Sequence, residues 1–159
     1  MKETKTNLTN LHCIFFIYKS FALTTDGVLT DKEKSVITSF MFRWTGQKKD
    51  VLDKIISETL TWSQSNIKTI NDQVGVMFSM IEHLKKQTDF GVSQREYLLM
   101  DIRNIARSDG DFLDQQKNWH DMMAKVLEVD IRISPSSPAK IQKSLNKVKK
   151  KKIGFLRER

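Results

Sequence analysis

Thr25-Asp26-Gly27-Val28-Leu29 is a polar turn that recurs as Ser108-Asp109-Gly110-Asp111-Phe112, and the two turns are 83 residues apart. Each turn lies between stretches whose apolar residues recur at spacings of three and four, which is the pattern of amphipathic helices. Self-similarity of this kind indicates an internal duplication. We therefore predict an all-α fold, a compact six- or seven-helix bundle built from two pseudo-symmetric helix-turn-helix halves.

Apolar stripes at helical spacing continue through the chain and place the other predicted helices. Gly46 and Gly91 each follow such a stripe and are predicted to end a helix or a connection. The stripe from Ile67 to Leu84 predicts one helix of about five turns. The alternation from Val129 to Ile133 is short and stops before Pro135, so we interpret it as the fraying end of the last helix.

Length and composition suit one domain, since 159 residues with 39% hydrophobic content can bury a core. The single cysteine, Cys13, excludes an internal disulfide framework and a CxxC metal or redox site. No apolar run reaches the roughly 18 to 20 residues that span a membrane. We predict a cytoplasmic protein with a helical domain over residues 1–133 and a Pro/Ser linker with a basic tail over residues 134–159.

The Asp-Gly turns have a structural interpretation. Glycine adopts the left-handed conformation at a helix end at little cost, so Gly27 and Gly110 are predicted helix terminators. Thr30 and Glu33 have the spacing of a capping box at the start of the next helix. In this interpretation the acidic residues of the turns accept hydrogen bonds from the amides of helix ends.

The same carboxylates have a second interpretation, as ligands of a divalent cation, because Ca²⁺ and Mg²⁺ are bound by oxygen clusters. The candidate ligands are Asp26, Asp31 and Glu33 around the first turn and Asp109, Asp111 and Asp114 around the second. An EF-hand loop is excluded, because that motif has its glycine in the sixth place and these turns have it in the second. Spacing favours the capping interpretation and leaves the cation site open.

At these residues the chain resembles the TerB-like proteins of the tellurite-resistance type. Their pattern is a helix ending in Ala-x-x-Asp-Gly, then a hydrophobe, then a Glu that opens the next helix, and it is present twice. The first copy in this sequence runs from Ala22 to Glu33 and the second from Ile105 to Gln116. The resemblance covers about residues 5 to 130 and does not include the tail.

The resemblance implies a non-catalytic helical module of the bacterial stress response, with an acidic surface that holds a divalent cation, Ca²⁺ or Mg²⁺. Its implied partners are other stress-response proteins, including membrane-associated ones. The residues that the resemblance carries over are Asp26, Glu33 and Asp109. The chain departs from the pattern at Leu23, where a small residue is usual, and at Gln116, which removes the second Glu. Asp111 and Asp114 are predicted to compensate for that lost charge.

No residue pattern points to catalysis. The histidines are scattered and none follows His-x-x-x-His spacing, so packed or surface positions are expected for His12, His83 and His120. The sequence has no nucleophile elbow, no P-loop and no glycine-rich phosphate cradle. We predict that the protein is not an enzyme.

The formal charge of +8 belongs to one end of the sequence. Residues 139–159 carry nine Lys or Arg and one Glu, whereas residues 1–138 carry 18 basic and 18 acidic side chains. Ile141, Leu145 and Val148 share one helical face of this basic segment, so it suits an anionic lipid surface or nucleic-acid phosphates as well as free solvation.

An alternative function follows from that charge distribution. A neutral helical scaffold would deliver the tail to an anionic membrane, at the inner membrane's periphery, or to nucleic acid. The predicted contact residues are Lys147, Lys149, Lys150, Lys151 and Lys152.

Overall fold

A computed structural model describes residues 8–26, 29–108 and 114–129, without the side chains of residues 24–26. These residues form six α-helices and no strand. The helices are α1 (Asn10–Asp26), α2 (Asp31–Trp44), α3 (Lys49–Asn66), α4 (Ile70–Lys85), α5 (Val92–Ser108) and α6 (Asp114–Leu127). The all-α prediction is confirmed for this part of the chain, with six helices.

Helix α1 is the centre of the bundle. Every residue from His12 to Tyr18 is buried, so this helix is enclosed on all sides instead of presenting one apolar stripe. It contacts each of the other five helices and packs most extensively against α4. The first turn therefore begins at the end of the most buried element of the fold.

The boundary between α3 and α4 differs from the sequence prediction. Ile67 caps the C-terminus of α3, and α4 begins only at Ile70. Thr69 and Asp72 form a capping box there, in which the Asp72 amide donates to the Thr69 hydroxyl oxygen over 3.0 Å. The prediction of one continuous helix from Ile67 was wrong because apolar spacing runs across this capping box, whose Asp replaces the usual Glu.

Two helix ends are set by residues in the left-handed conformation. Helix α2 ends before Gly46, which has a φ of 72°, as the sequence predicted. Helix α6 ends at Leu127, and Glu128 after it has a φ of 59°. Val129 is buried outside the helix, so the helix ends abruptly there. Residues 130–133 of the predicted fraying end lie outside the described residues.

Arg95 connects the ends of three helices. From the first turn of α5, its guanidinium donates to the Lys85 carbonyl at the end of α4 over 3.0 Å and to the Leu127 carbonyl at the end of α6 over 2.8 Å. Lys85 also pairs with Glu128 over 2.9 Å. A cation at two helix C-termini satisfies carbonyls that lack helical partners.

None of the six helices is both long enough and apolar enough to cross a bilayer. The predicted domain boundary at residue 133 and the basic tail lie outside the described residues.

Candidate functional site

Glu33, the candidate ligand that follows the first turn, is part of a helix cap. Thr30 precedes α2, and its hydroxyl oxygen accepts from the Glu33 amide over 3.1 Å. The Glu33 carboxylate accepts in return from the Thr30 amide over 3.0 Å, and the residue is only 4% exposed. The predicted capping box is therefore confirmed, and the Glu33 carboxylate is bound to the N-terminus of its own helix.

Asp31 and Asp114 occupy the first position of α2 and of α6. Both are exposed, and each lies near a lysine one turn along the helix: Lys34 Nζ is 4.0 Å from Asp31, and Lys117 Nζ is 3.8 Å from Asp114. An acidic residue in the first turn also interacts favourably with the positive end of the helix dipole. Both carboxylates therefore contribute to helix starts.

The side chains of the other predicted cation ligands are not among those that the structure describes. Asp26 is the last residue of α1, but its side chain is outside the description, and Asp109 and Asp111 lie outside it altogether. Gln116, in the place of the second Glu, is 4% exposed. Among the described side chains, no group of three or more His, Cys, Asp or Glu could hold a metal ion. The described carboxylates alone therefore do not fit a Ca²⁺ or Mg²⁺ site.

The predicted membrane or nucleic-acid contacts are also outside the description. They are Lys147, Lys149, Lys150, Lys151 and Lys152.

A buried carboxylate that the sequence analysis did not identify links α1, α2 and α5. Asp101 Oδ2 accepts three hydrogen bonds, from the Tyr18 hydroxyl over 2.5 Å, from Arg43 over 2.6 Å and from the Trp44 indole over 3.0 Å. Asp101 is 2% exposed, whereas the Arg43 side chain is 49% exposed. The charge of a buried carboxylate is thus compensated by a guanidinium that still reaches solvent.

This linkage also keeps Tyr18 protonated. Burial raises the pKa of Tyr18 well above its ordinary value of 10, and the negative charge of Asp101 raises it further. A sequence signal existed, because Asp101 interrupts the apolar stripe of α5 that includes Leu98 and Ile102. An acidic residue on a buried helix face requires a partner, although the sequence does not say which one.

His120 is a second buried polar residue, on α6. Arg103 Nε donates to His120 Nε2 over 3.1 Å, so the ring proton is assigned to Nδ1, which lies 3.2 Å from Asp121. Burial lowers the pKa of His120 below its ordinary value of 6.5, Asp121 opposes that shift, and the positive charge of Arg103 adds to it. The imidazole is therefore neutral at pH 7 and is part of the helix packing.

A pocket of about 300 Å³ lies between α1, α2 and α3, beside the first turn. Apolar side chains supply most of its wall, and two lysines, Lys19 and Lys34, line it as well. The apolar lining residues are Phe15, Leu29, Ile37, Ile56 and Leu60. The pocket was not predicted from the sequence, because its wall depends on how three consecutive helices pack against one another.

No protein-family model, no curated protein and no solved structure matches this chain. The candidate features in the described residues are the capping box after the first turn, the Tyr18–Asp101 linkage and the pocket beside the first turn.

Proposed function

We propose that the protein is a non-catalytic interaction module of the TerB-like, tellurite-resistance type that acts in a stress response. It binds partner proteins through the surface around its two Asp-Gly turns. The observation that carries the proposal is the correspondence of the helices that follow the turns. Helix α2 and helix α6 both have 14 residues, and they begin at Asp31 and Asp114, which are 83 positions apart.

The buried faces of these two helices support the same duplication. Three positions of α2 and three of α6 are buried at the same offset of 83 residues. The pairs are Glu33 with Gln116, Ile37 with His120, and Met41 with Ala124. Helices that bury the same positions present the same side to the core, which is expected of two pseudo-symmetric halves.

The Tyr18–Asp101 hydrogen bond supports a pseudo-twofold relation as well. These residues are also 83 positions apart, so they are equivalent in the proposed repeats. Equivalent residues meet where a twofold axis passes between two halves, as in an interface between identical subunits. In this proposal the axis passes between α1 and α5, the helices that lead into the two turns.

The proposed divalent cation is held by carboxylates from both turns. Glu33 is engaged in its capping box, and Gln116 offers a neutral oxygen that is a weaker ligand for a hard cation. Asp26, Asp109 and Asp111 would then supply most of the charge for Ca²⁺ or Mg²⁺. The protein partner would be recruited to the same acidic surface.

A titration of the full chain with Ca²⁺ and with Mg²⁺, followed by amide NMR, tests this function. We expect saturable shifts that cluster at Asp26, Glu33, Asp109 and Asp111, and we expect Asp109→Asn to weaken them. Asp53→Asn, on the exposed part of α3, is the matched control and should leave the titration unchanged. If neither cation produces clustered shifts, the protein does not bind a divalent cation at the turns. If the shifts centre on other residues, the turns are not the binding surface.

A second function, the delivery of the basic tail to an anionic membrane or to nucleic acid, is favoured by one observation. The charge of +8 is confined to residues 139–159, and the rest of the chain is neutral. Liposome and DNA binding with and without these residues, at two salt concentrations, tests it. Unchanged binding after truncation would rule out the tail as the contact. Either function is compatible with a cytoplasmic protein that is peripheral at the inner membrane.

A further inference from the structure

The pocket between α1, α2 and α3 combines an apolar wall with positive charge. Phe15 from α1, Ile37 from α2 and Ile56 from α3 are three of its apolar lining residues. Its volume of about 300 Å³ is at the lower end of the range for small-molecule sites. Such sites are mostly apolar, with a few polar groups that fix the orientation of the ligand.

The charged groups of this pocket are both lysines, and Thr38 adds a neutral hydroxyl. Lys19 is half-buried, and burial alone lowers its pKa, with no acidic side chain among the described residues to oppose that shift. Lys34 is more exposed, at 59%, and its nearest acidic atom is in Asp31, 4.0 Å away. A partly desolvated ammonium without a close anion favours a ligand that brings a negative charge.

We propose that this pocket binds a medium-chain alkyl carboxylate, that is, a fatty acid of small size. Its hydrocarbon chain lies against Phe15, Ile37 and Ile56, and its carboxylate accepts hydrogen bonds from the Lys19 ammonium. Lys34 adds a second positive charge on the solvent side. This binding site adjoins the first turn, from which Leu29 contributes to its lining. Its test uses no divalent cation, so its failure is distinguishable from failure of the proposed function.

Charge complementarity favours an alkyl carboxylate in this pocket over the protein's own basic tail. Residues 139–159 include apolar side chains but carry a net charge of +8, so Lys19 and Lys34 would repel them. The phosphates of a nucleic acid would interact with the two lysines but would bury no hydrocarbon against the apolar wall. A single alkyl chain with one carboxylate matches both features of the site.

The hydrocarbon part of the proposal predicts a dependence on chain length. Burial of each methylene contributes enough free energy to tighten binding about fourfold. Affinity should therefore rise from hexanoate to octanoate to decanoate by about tenfold or more at each step of two carbons. The series should level off when the chain no longer fits the pocket.

The experiment is a calorimetric titration of the full chain with these three carboxylates below their micelle concentrations, together with methyl NMR. We expect one site per chain, with shifts of the Leu29, Ile37, Ile56 and Leu60 methyl groups. Octanol and octyltrimethylammonium, with the same chain length, should bind at least about tenfold more weakly than octanoate, because neither brings a negative charge.

Two pairs of variants separate the pocket from general hydrophobic binding. Lys19→Met keeps the apolar stem and should weaken octanoate binding about tenfold, whereas Lys54→Met, at an exposed position of α3, should not. Thr38→Phe narrows the pocket from an exposed position and should weaken binding, whereas Ser39→Phe, one residue further along α2, should not. Circular dichroism confirms that each variant is folded.

Several outcomes would overturn the proposal. If octyltrimethylammonium binds as tightly as octanoate, the lysines do not select for a negatively charged ligand. No saturable binding of any of the carboxylates, or methyl shifts outside the pocket, would remove the site. Equal affinities for wild type, Lys19→Met and Thr38→Phe would place the ligand elsewhere on the protein.

Discussion

The Tyr18 hydroxyl donates a hydrogen bond to the Asp101 carboxylate over 2.5 Å, and the two residues are separated by 83 positions. The Asp-Gly turns have the same separation. Both residues are buried, and the Arg43 guanidinium and the Trp44 indole complete the set of donors to Asp101. The centre of the bundle is therefore held by a polar contact between the two proposed repeats.

Asp101→Ala should destabilise the fold by about 3 kcal/mol, because the buried Tyr18 hydroxyl loses its acceptor and the Arg43 guanidinium loses its carboxylate. The Trp44 indole keeps the Tyr18 hydroxyl oxygen as an acceptor over 2.8 Å. Tyr18→Phe should cost about 1 kcal/mol, since it removes one of the three donors. Urea unfolding followed by tryptophan fluorescence measures both. Asp53→Ala, which removes an exposed pair with Lys49, is the control and should change stability by less than about 0.5 kcal/mol. Equal effects of Asp101→Ala and Asp53→Ala would contradict the role of the linkage.

The capping box at the first turn should be measurable as a coupling between its two residues. Thr30→Ala should cost about 1 kcal/mol, because the Glu33 amide loses its acceptor. Glu33→Gln should cost less in the Thr30→Ala background than in the wild type, and a double-mutant cycle gives the difference. Ser39→Ala, at an exposed position of α2, serves as the control. Strict additivity of the two changes would mean that the cap does not act as a unit.

The buried imidazole of His120 should make stability depend on pH below neutrality. Its pKa is lowered in the folded protein, so between pH 6.5 and that lower value the unfolded state binds more protons than the folded state. Stability should therefore fall as the pH is lowered from 7 through the range between the two pKa values, with a slope of at most about 1.4 kcal/mol per pH unit from this group.

Urea unfolding at several pH values measures that slope. His120→Gln removes the titrating group and should flatten the curve over this range, whereas His83→Gln, at an exposed position of α4, should leave it unchanged. A pH profile of His120→Gln that is identical to that of the wild type would assign the dependence to other groups.

Cys13 should be unreactive in the folded protein. It is 4% exposed, and burial raises the pKa of its thiol to about 11, so only about one molecule in a thousand carries the thiolate at pH 8. A disulfide reagent should label it at a rate set by unfolding, and much faster in concentrated urea. The signal is unambiguous because Cys13 is the only cysteine of the chain. Labelling in buffer as fast as in urea would contradict the burial.

The sequence predicted the features that depend on nearby residues. The all-α class, the end of α2 at Gly46 and the capping box of Thr30 and Glu33 all follow from spacing within a few residues. The break before Ile70 was missed, since apolar spacing continued across a cap that uses Asp72 in place of Glu. Local chemistry therefore placed most helices but not every boundary.

Features that depend on distant residues were not predictable in the same way. Asp101 was visible as a charge on an apolar stripe, but its donors come from α1 and α2. The pocket combines Lys19 of α1 with Ile56 of α3, and no spacing in the sequence indicates that these residues share a cavity. Such contacts depend on how the helices cross, which the periodicity of each helix leaves undetermined.

The most direct test of the central claim, that the two Asp-Gly turns form one surface, uses Mn²⁺ as a paramagnetic substitute for Ca²⁺ or Mg²⁺. Amide spectra of the full chain are recorded with substoichiometric Mn²⁺ and again after chelation. We predict that amides around Asp26 to Glu33 and around Asp109 to Gln116 lose intensity together and recover together. Broadening of one turn without the other, or of neither, would contradict the account.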